Sequence, residues 1–464
     1  MAVVPETIGR AESKGGGPAG DVAPRALPAD CAWLPLGEGQ LLVSRGHAVF
    51  CRVPVEHVAA VRRVLAGEAP VSSLAASLLE ALARHGFFGA PRAAPPESPS
   101  VQLQLTNACN IACRYCCTNS GHARAPELTL ERYTAIAEDI RRDLGPRTRV
   151  AVLGGEPFLL PWAIDLCERI VALDLQLTMF TNGMPLGTDP ALAARAAALT
   201  RRGAQLRVSL AGPTKEICDA VSGADRFAGA LRGIHAVAAA GGETIIDLML
   251  LPQHVADVAE RLPELRRQLP PGIRIALGVM YLSGRETGEH LFGSRAELER
   301  ALDRVAFEAG ERIAATPASP LTERREGCSC ALGQHLHVRS DGSLFTCFKM
   351  EEKVGDLREV RFSAALAEVR ATPHPAVTLA KCRDCPLNTL CGGGCRSENL
   401  QYTGDADEPV CGPWRVRVLS ELLAEDRPSA LEWSAPQLLA EARARGFEAP
   451  EKLEPVIPSR HLLE

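Results

Sequence analysis

The sequence predicts an α/β chain built on a partial (β/α)6 TIM-like barrel, with a small N-terminal α+β module before it and a cysteine-rich domain after it. Three observations carry this prediction. Between residues 101 and 315, six short strand-like runs alternate with amphipathic helical runs, with no hairpin between them. Strands joined only through helices lie parallel, and a curled parallel sheet is a partial barrel. Such barrels keep their chemistry at the C-terminal strand ends, where every unusual short motif of this region falls. Finally, twelve of the sixteen cysteines form two groups, four at 109–117 and eight at 328–411.

The 464 residues are too many for one ordinary domain, and 46% hydrophobic content supports sizeable cores. A net charge of −5 gives no electrostatic case for nucleic acid. The arginine pairs at 141–142, 201–202 and 266–267 are spread over solvated helix faces. No apolar run reaches membrane-spanning length, so no membrane is expected. The first thirty residues lack a secretory apolar core, so the expected compartment is the cytoplasm, where thiols stay reduced. Cysteines in that setting call for metal rather than disulfides; Cys31, Cys51, Cys167 and Cys218 are scattered and read as plain buried residues.

In chain order, residues 1–29 are rich in Gly, Ala and Pro and read as a flexible tail. Residues 30–90 hold strand candidates at 41–43 and 48–50 and helices at Val55–Leu65 and 72–85, the second stopped by Gly86. Residues 91–100 form a proline-rich linker. The barrel region runs strand 101–106, helix 130–142 with Thr129 as N-cap, strand Arg149–Leu153, helix 161–173, strand 176–180, helix 190–202, strand Gln205–Leu210, helix 226–240, strand 244–250, helix 255–269 and strand 273–280. Residues 324–414 carry the second cysteine group, and 415–464 hold amphipathic helices at 416–424 and 436–444 that read as packing elements.

Cys109, Cys113 and Cys116 follow the first barrel strand at spacings of four and three. Three thiolates cannot all pair as disulfides, but they can grip one soft metal centre. A [4Fe–4S] cube normally takes four cysteines, so three leave one iron open to a chelating substrate. The competing readings are a zinc knuckle and buried thiols. Cys117 is surplus.

This loop resembles the radical S-adenosylmethionine (SAM) superfamily, whose Cys-x3-Cys-x2-Cys motif matches Cys109, Cys113 and Cys116, with Tyr115 at its usual aromatic position. The resemblance implies that the open iron takes the amino and carboxyl groups of SAM. Gly154-Gly155-Glu156-Pro157 matches the glycine-rich segment after the second strand, which in the family contacts the SAM amino group. Thr181-Asn182-Gly183 and Gly284-Arg285 are also similar to family text. Ser209-Leu210-Ala211-Gly212-Pro213 resembles its Ser-Leu-Asp-Gly-Pro segment with Ala211 replacing the aspartate, making Ser209 a ribose-contact candidate. Asp219 and Gly223 match the family's His-Asp and Arg-Gly positions, whereas Cys218 and Ser222 depart from them. Asp247, in the fifth strand, is a candidate barrel-lining catalytic carboxylate; the alternative is a paired structural acid.

In the second group, eleven residues separate Cys330 from Gly342 and four separate Gly342 from Cys347, with Asp341-Gly342 as a hairpin turn. Cys382-x2-Cys385-x5-Cys391-x3-Cys395 and Cys411 follow. A zinc domain is one reading of such spacings. They resemble the seven-cysteine SPASM iron–sulfur domain, which implies two auxiliary [4Fe–4S] clusters, one on Cys330, Cys347 and Cys395 and one on Cys382, Cys385, Cys391 and Cys411. Cys328 is an eighth thiol and a candidate fourth ligand of the first auxiliary cluster, a position that in similar enzymes is filled by an upstream cysteine or left open to a substrate thiol.

The resemblance implies an enzyme that reductively cleaves SAM to a 5′-deoxyadenosyl radical. Its expected substrate is a ribosomally made precursor peptide, modified by crosslink, thioether or epimerisation. It also implies an external one-electron reductant of flavodoxin or ferredoxin type. Residues 30–90 are similar in layout to the winged-helix peptide-recognition modules that precede some such enzymes; a structural cap is the competing reading. The alternatives are the same chemistry on a small molecule, an anaerobic sulfatase-maturing type, and a non-catalytic iron–sulfur or zinc scaffold. Phe348, where the sulfatase-maturing branch has an aspartate, counts against that branch.

Overall fold

The computed structural model describes residues 26–36, 39–93, 99–123, 126–223, 225–280, 283–292, 295–309, 313–314, 324–325, 327–328, 333–350, 352–371, 376–409 and 460–463. Cys330, Cys411 and the helices expected at 416–424 and 436–444 lie outside the described residues.

The N-terminal module opens with three strands, β1 (Cys31–Leu36), β2 (Gly39–Ser44) and β3 (Val49–Pro54), paired antiparallel in that order. Two helices follow, α1 (Val55–Leu65) and α2 (Ala76–Arg84). Leu42, Val49, Val53, Val61, Leu78, Leu82 and Phe87 make its own core. The structure adds β1, which the sequence reading lacked. It also shortens the helix expected over 72–85, because Val71–Ser73 forms a 3-10 turn and Leu74 is extended (ψ 152°).

The parallel sheet forms as the alternation predicted. It contains β4 (Ser100–Gln104), β5 (Arg149–Leu153), β6 (Gln176–Thr181), β7 (Gln205–Leu210), β8 (Ile245–Met249) and β9 (Arg274–Gly278), each hydrogen-bonded in parallel to the next. The connections carry α3 (Leu130–Leu144), α4 (Ala163–Ala172), α5 (Met184–Thr188), α6 (Pro190–Arg201), α7 (Lys215–Ser222), α8 (Arg226–Ala239) and α9 (Val255–Gln268); α5 and α7 are additions to the expected set. Thr129 caps α3 through its hydroxyl, which accepts from the Arg132 N–H at 3.4 Å. Alternate residues of each strand point to opposite faces. Val101, Leu103, Val152, Met179, Leu206 and Val208 face the helices and build the outer core. Gln102, Phe180, Arg207, Ser209 and Asp247, on the alternate positions, line the concave side.

After α10 (Arg295–Ala309) and the short β10 (Ile313–Ala314), β11 (His335–Val338) turns at Asp341-Gly342 into β12 (Ser343–Phe345), which pairs with β13 (Lys353–Asp356). Gly342 takes φ +89°, and Ser343 N–H donates to the Asp341 carboxylate at 2.9 Å, so this hairpin forms at the expected turn. Unforeseen is that β11 adds in parallel to the free edge of β4, His335 opposite Ser100 and Val338 opposite Leu103. The barrel sheet and the hairpin of the cysteine region are therefore one sheet. Its other edge is covered by β14 (Arg460–Leu463), antiparallel to β9 and to β10. Four helices complete the described chain: α11 (Phe362–Ala371), α12 (Ala380–Arg383), α13 (Asn388–Cys391) and α14 (Arg396–Thr403).

The turn between β2 and β3 docks on this cysteine region. Arg45 Nη1 donates to the Arg383 carbonyl (3.0 Å), Thr389 Oγ1 to the Arg45 carbonyl (2.9 Å), and Arg324 Nη1 to the Gly46 carbonyl (2.8 Å).

Candidate active site

Cys109, Cys113 and Cys116 lie in the loop that leaves the C-terminal end of β4, all half-buried. The loop is closed at its root, where Cys109 N–H donates to the Gly121 carbonyl and Gly121 N–H to the Asn107 carbonyl, both at 2.9 Å. The Glu127 carboxylate fixes the approach by accepting from Thr106 Oγ1 (2.8 Å) and Asn107 N–H (2.7 Å).

The environments of the three thiols differ. Burial pushes Cys109 up, and it pushes Cys113 up to about 11, against the Ser222 hydroxyl and Arg226. Burial also pushes on Cys116, but the Thr118 hydroxyl, the backbone N–H groups of Ser120 and Thr118, and Arg285 outweigh it, leaving this thiol below its ordinary value. The charges of the three act on one another. Among the described residues, no three His, Cys, Asp or Glu side chains converge closely enough to hold one metal ion. Three thiols on one loop, whose charges act on one another, match the donor set of an iron–sulfur cube, whose irons take one thiolate apiece.

The glycine-rich end of β5 packs onto this loop. Gly155 N–H donates to the Thr106 carbonyl and Glu156 N–H to the Ala108 carbonyl, both at 2.8 Å. A Cβ on Gly155 would lie 2.1 Å from the Ala108 oxygen, and one on Gly154 would lie 2.8 Å from the Thr106 oxygen. The close approach these glycines permit is thus, first, to the root of the cysteine loop. Pro157 is buried and opens the short 3-10 turn Pro157–Leu159.

Glu156 is fully buried, and its carboxylate accepts from Phe158 N–H (3.1 Å), Thr181 Oγ1 (2.8 Å) and Asn182 N–H (2.6 Å). Burial raises it to about 7 although these donors pull it down. The residue staples the ends of β5 and β6 together. Asn182 then reaches the cysteine loop, its Nδ2 donating to Asn110 Oδ1 at 2.6 Å.

Ser209 is half-buried near the C-terminal end of β7, and its carbonyl accepts from Arg226. Asp219 sits on α7, accepting from Lys215 and from Phe227 N–H (2.9 Å), and Gly223 ends that helix. Ser222, where the family often has arginine, is buried, and its hydroxyl acts on both Cys113 and Tyr115. Asp247 is paired: Arg207 Nε donates to it at 3.1 Å and Arg207 Nη2 to its other oxygen, while that guanidinium lies 5.8 Å over the Phe180 ring. The bonding is that of the paired structural acid.

The segment 283–290 contributes more than its two family-like residues foretold. Ser283 Oγ donates to the Cys117 carbonyl (3.0 Å), Arg285 N–H to that of Cys116 (2.9 Å) and Arg285 Nε to that of Cys113 (3.0 Å). Gly284, at φ +65°, has room for no Cβ, which would meet the Cys116 oxygen at 2.3 Å. His290 meets Tyr115 edge-on at 6.2 Å and pairs with buried Glu286 at 2.8 Å. Neither His290 nor Glu286 carries a sequence motif.

In the second cysteine group, Cys328, Cys347, Cys382, Cys385, Cys391 and Cys395 are described. Cys382 is on α12, Cys385 follows it, Cys391 ends α13 and Cys395 caps α14. Gly392, Gly393 and Gly394 all take positive φ, and the chain turns so that Gly393 N–H donates to Cys391 Sγ at 3.4 Å.

A family model described as Radical SAM superfamily matches residues 103–262. The chain is 36% identical over 328 residues to mycofactocin maturase MftC of Mycobacterium ulcerans, covering 66% of this chain and 86% of that protein. It is 29% identical over 348 residues to PqqA peptide cyclase of Ruegeria pomeroyi, covering 69% and 89%. Among solved structures, Streptococcus suis SuiB bound to precursor peptide SuiA shares the fold at TM-score 0.51 and 14% identity, over 83% of this chain and 98% of that one.

Proposed function

The chain belongs to the radical SAM superfamily, and we propose that it is a maturase that modifies a ribosomally made peptide. It is an enzyme that uses SAM and a [4Fe–4S] cluster. The observation that carries the reading is a three-thiol loop at the C-terminal strand ends, held from one side by backbone hydrogen bonds of Gly155 and Glu156 and from the other by backbone and side-chain hydrogen bonds of Ser283 and Arg285. When bound, the cluster supplies one electron to SAM, giving methionine and a 5′-deoxyadenosyl radical that takes a hydrogen from the substrate.

Cys109, Cys113 and Cys116 hold that cluster, and Tyr115 packs beside it against His290. The half-buried backbone edge at Gly154–Gly155 meets the SAM amino group. Glu156 and Thr181 keep that edge in register, and Asn182 orients the loop through Asn110. Ser209 takes the ribose. Phe180, Arg207 and Asp247 shape the concave wall where a substrate segment enters. In the C-terminal region, Cys330, Cys347 and Cys395, with Cys328, hold one auxiliary cluster; Cys382, Cys385, Cys391 and Cys411 hold another. The peptide substrate is supported by the names of the two relatives. A small flavodoxin- or ferredoxin-type protein supplies the electron, and residues 30–90 contribute to peptide recognition. No helix among the described residues is long and apolar enough to cross a membrane, and the cytoplasm is the proposed compartment.

Anaerobic reconstitution followed by iron and sulfide analysis tests the centres: three cubes require about twelve irons per chain. Reduction with SAM present yields 5′-deoxyadenosine, faster with a short peptide encoded beside the gene. A cluster spectrum that SAM leaves unchanged refutes the reading.

A further inference from the structure

Helix α8 opens on Arg226, whose side chain is among the largest fully buried ones in the molecule. A buried guanidinium ordinarily sits against a carboxylate, because an uncompensated charge in the interior is strongly unfavourable. Among the described residues no carboxylate bonds to it. Nη2 donates to the Ser209 carbonyl, and buried Nη1 has no hydrogen-bond partner. The cysteine loop packs at the same place: Arg114 N–H donates to the Val221 carbonyl of α7 at 3.2 Å, and Tyr115 packs against the core that holds Val221 and Phe227, the neighbour of Arg226. A guanidinium with no hydrogen-bonded carboxylate thus stands beside a site due to become anionic. Three thiolates outweigh the charge of an oxidised [4Fe–4S] core, and one-electron reduction adds a further negative charge.

We propose that Arg226 is a positioning residue that supplies the counter-charge to the loaded three-thiolate centre, with Nη1 donating to that centre, and that it thereby sets how readily the centre is reduced. This rests on the radical SAM reading above. The electron comes from the external reductant and remains on the cluster, and Arg226 changes neither its proton count nor its bonds. Net charge and hydrogen bonds to sulfur are the protein's main levers on iron–sulfur potentials. The effect of Arg226 is therefore present before SAM binds.

The test uses anaerobically reconstituted full-length protein with Arg226→Gln, which keeps a polar group without charge, and Arg226→Lys, which keeps the charge. EPR-monitored reductive titration without SAM reads the potential; calorimetric SAM binding and urea unfolding of the metal-free protein run alongside. Arg226→Gln is expected to lower the reduced-to-oxidised ratio at fixed poise by tenfold or more, about 59 mV for one electron, and Arg226→Lys to restore most of it. Iron loading by the Lys variant and not by the Gln variant supports the same conclusion. Potentials in Arg226→Gln equal to wild type overturn it, whether SAM affinity, metal-free stability or neither has changed. Failure of both variants to load iron, with both folded, overturns it as well, since charge is then not what the site needs. If wild-type protein itself carries no reducible cluster, the radical SAM reading fails instead.

Discussion

Replacing Gly155 by alanine tests whether the end of β5 seats the cysteine loop. The added Cβ falls 2.1 Å from the Ala108 oxygen, 2.6 Å from its carbonyl carbon and 2.9 Å from the Asn107 oxygen, where ordinary contact begins at 3.4 Å. These neighbours are backbone and cannot rotate away, so strand end and loop root must separate by roughly 1 Å. That movement strains two hydrogen bonds of 2.8 Å, Gly155 N–H to Thr106 and Glu156 N–H to Ala108. Overpacking costs about 1–3 kcal/mol and each weakened bond about 0.5–1.5 kcal/mol, giving about 2–6 kcal/mol in all. A domain stable by about 5–15 kcal/mol survives the lower part of that range, but Cys109, next to Ala108, shifts with the loop. The assay is urea unfolding of the metal-free protein together with iron content after reconstitution, with Gly89→Ala as control because its Cβ would meet nothing nearer than 3.5 Å. Gly155→Ala protein with full iron and stability within about 0.5 kcal/mol of wild type, the usual range for harmless surface changes, refutes the seating argument.

Other expectations concern the buried charges and one cap. Because burial raises Glu156 to about 7, its contribution to stability is fully present below its unfolded value near 4.5 and is lost as pH rises through 7. Metal-free Glu156→Gln protein should therefore lose less stability than wild type between pH 5 and 8, and parallel melting curves across that range would contradict this. Asp247→Asn leaves the half-buried Arg207 without its counter-charge and should cost up to about 3–5 kcal/mol, with much of the loss regained in Arg207→Met/Asp247→Leu; a catalytic Asp247 predicts lost turnover at unchanged stability. Conversely, Asp356 is held below the usual carboxylate range by Arg358 and Lys353, so the stability it adds is present at neutral pH and disappears on acidification toward its folded value. The deficit of Asp356→Asn in urea melts should shrink in step. Thr129→Ala removes the cap of α3 and should cost about 1 kcal/mol in the same assay.

The fold was legible because the strand–helix alternation is a local signal, and Cys109, Cys113 and Cys116 were legible as a group because they lie within one loop. The reading from sequence stopped where partners meet only through the fold. Nothing about Ser283, Glu286 or His290 in the chain foretells that they hold or flank the cysteine loop. Arg226 belongs to no motif, and its burial with an unpartnered Nη1 exists only in three dimensions. Strand β1 escaped because the Trp33-Leu34-Pro35 run lacks period-two alternation. The hairpin at Asp341-Gly342 was legible as a turn, yet its addition to β4 depends on an open sheet edge that only the assembled barrel offers.

That shared sheet also bears on electron traffic. Strand β11 bonds to β4 along four residue pairs, and β4 leads directly into the loop of the first three cysteines, while β12 leads to Cys347. Redox centres mounted on these two ends would be spaced by a hydrogen-bonded ladder and not by a tether. Tunnelling between donors and acceptors falls steeply with distance, so a fixed span would keep transfer rates steady through every turnover, whatever the peptide does in the cavity.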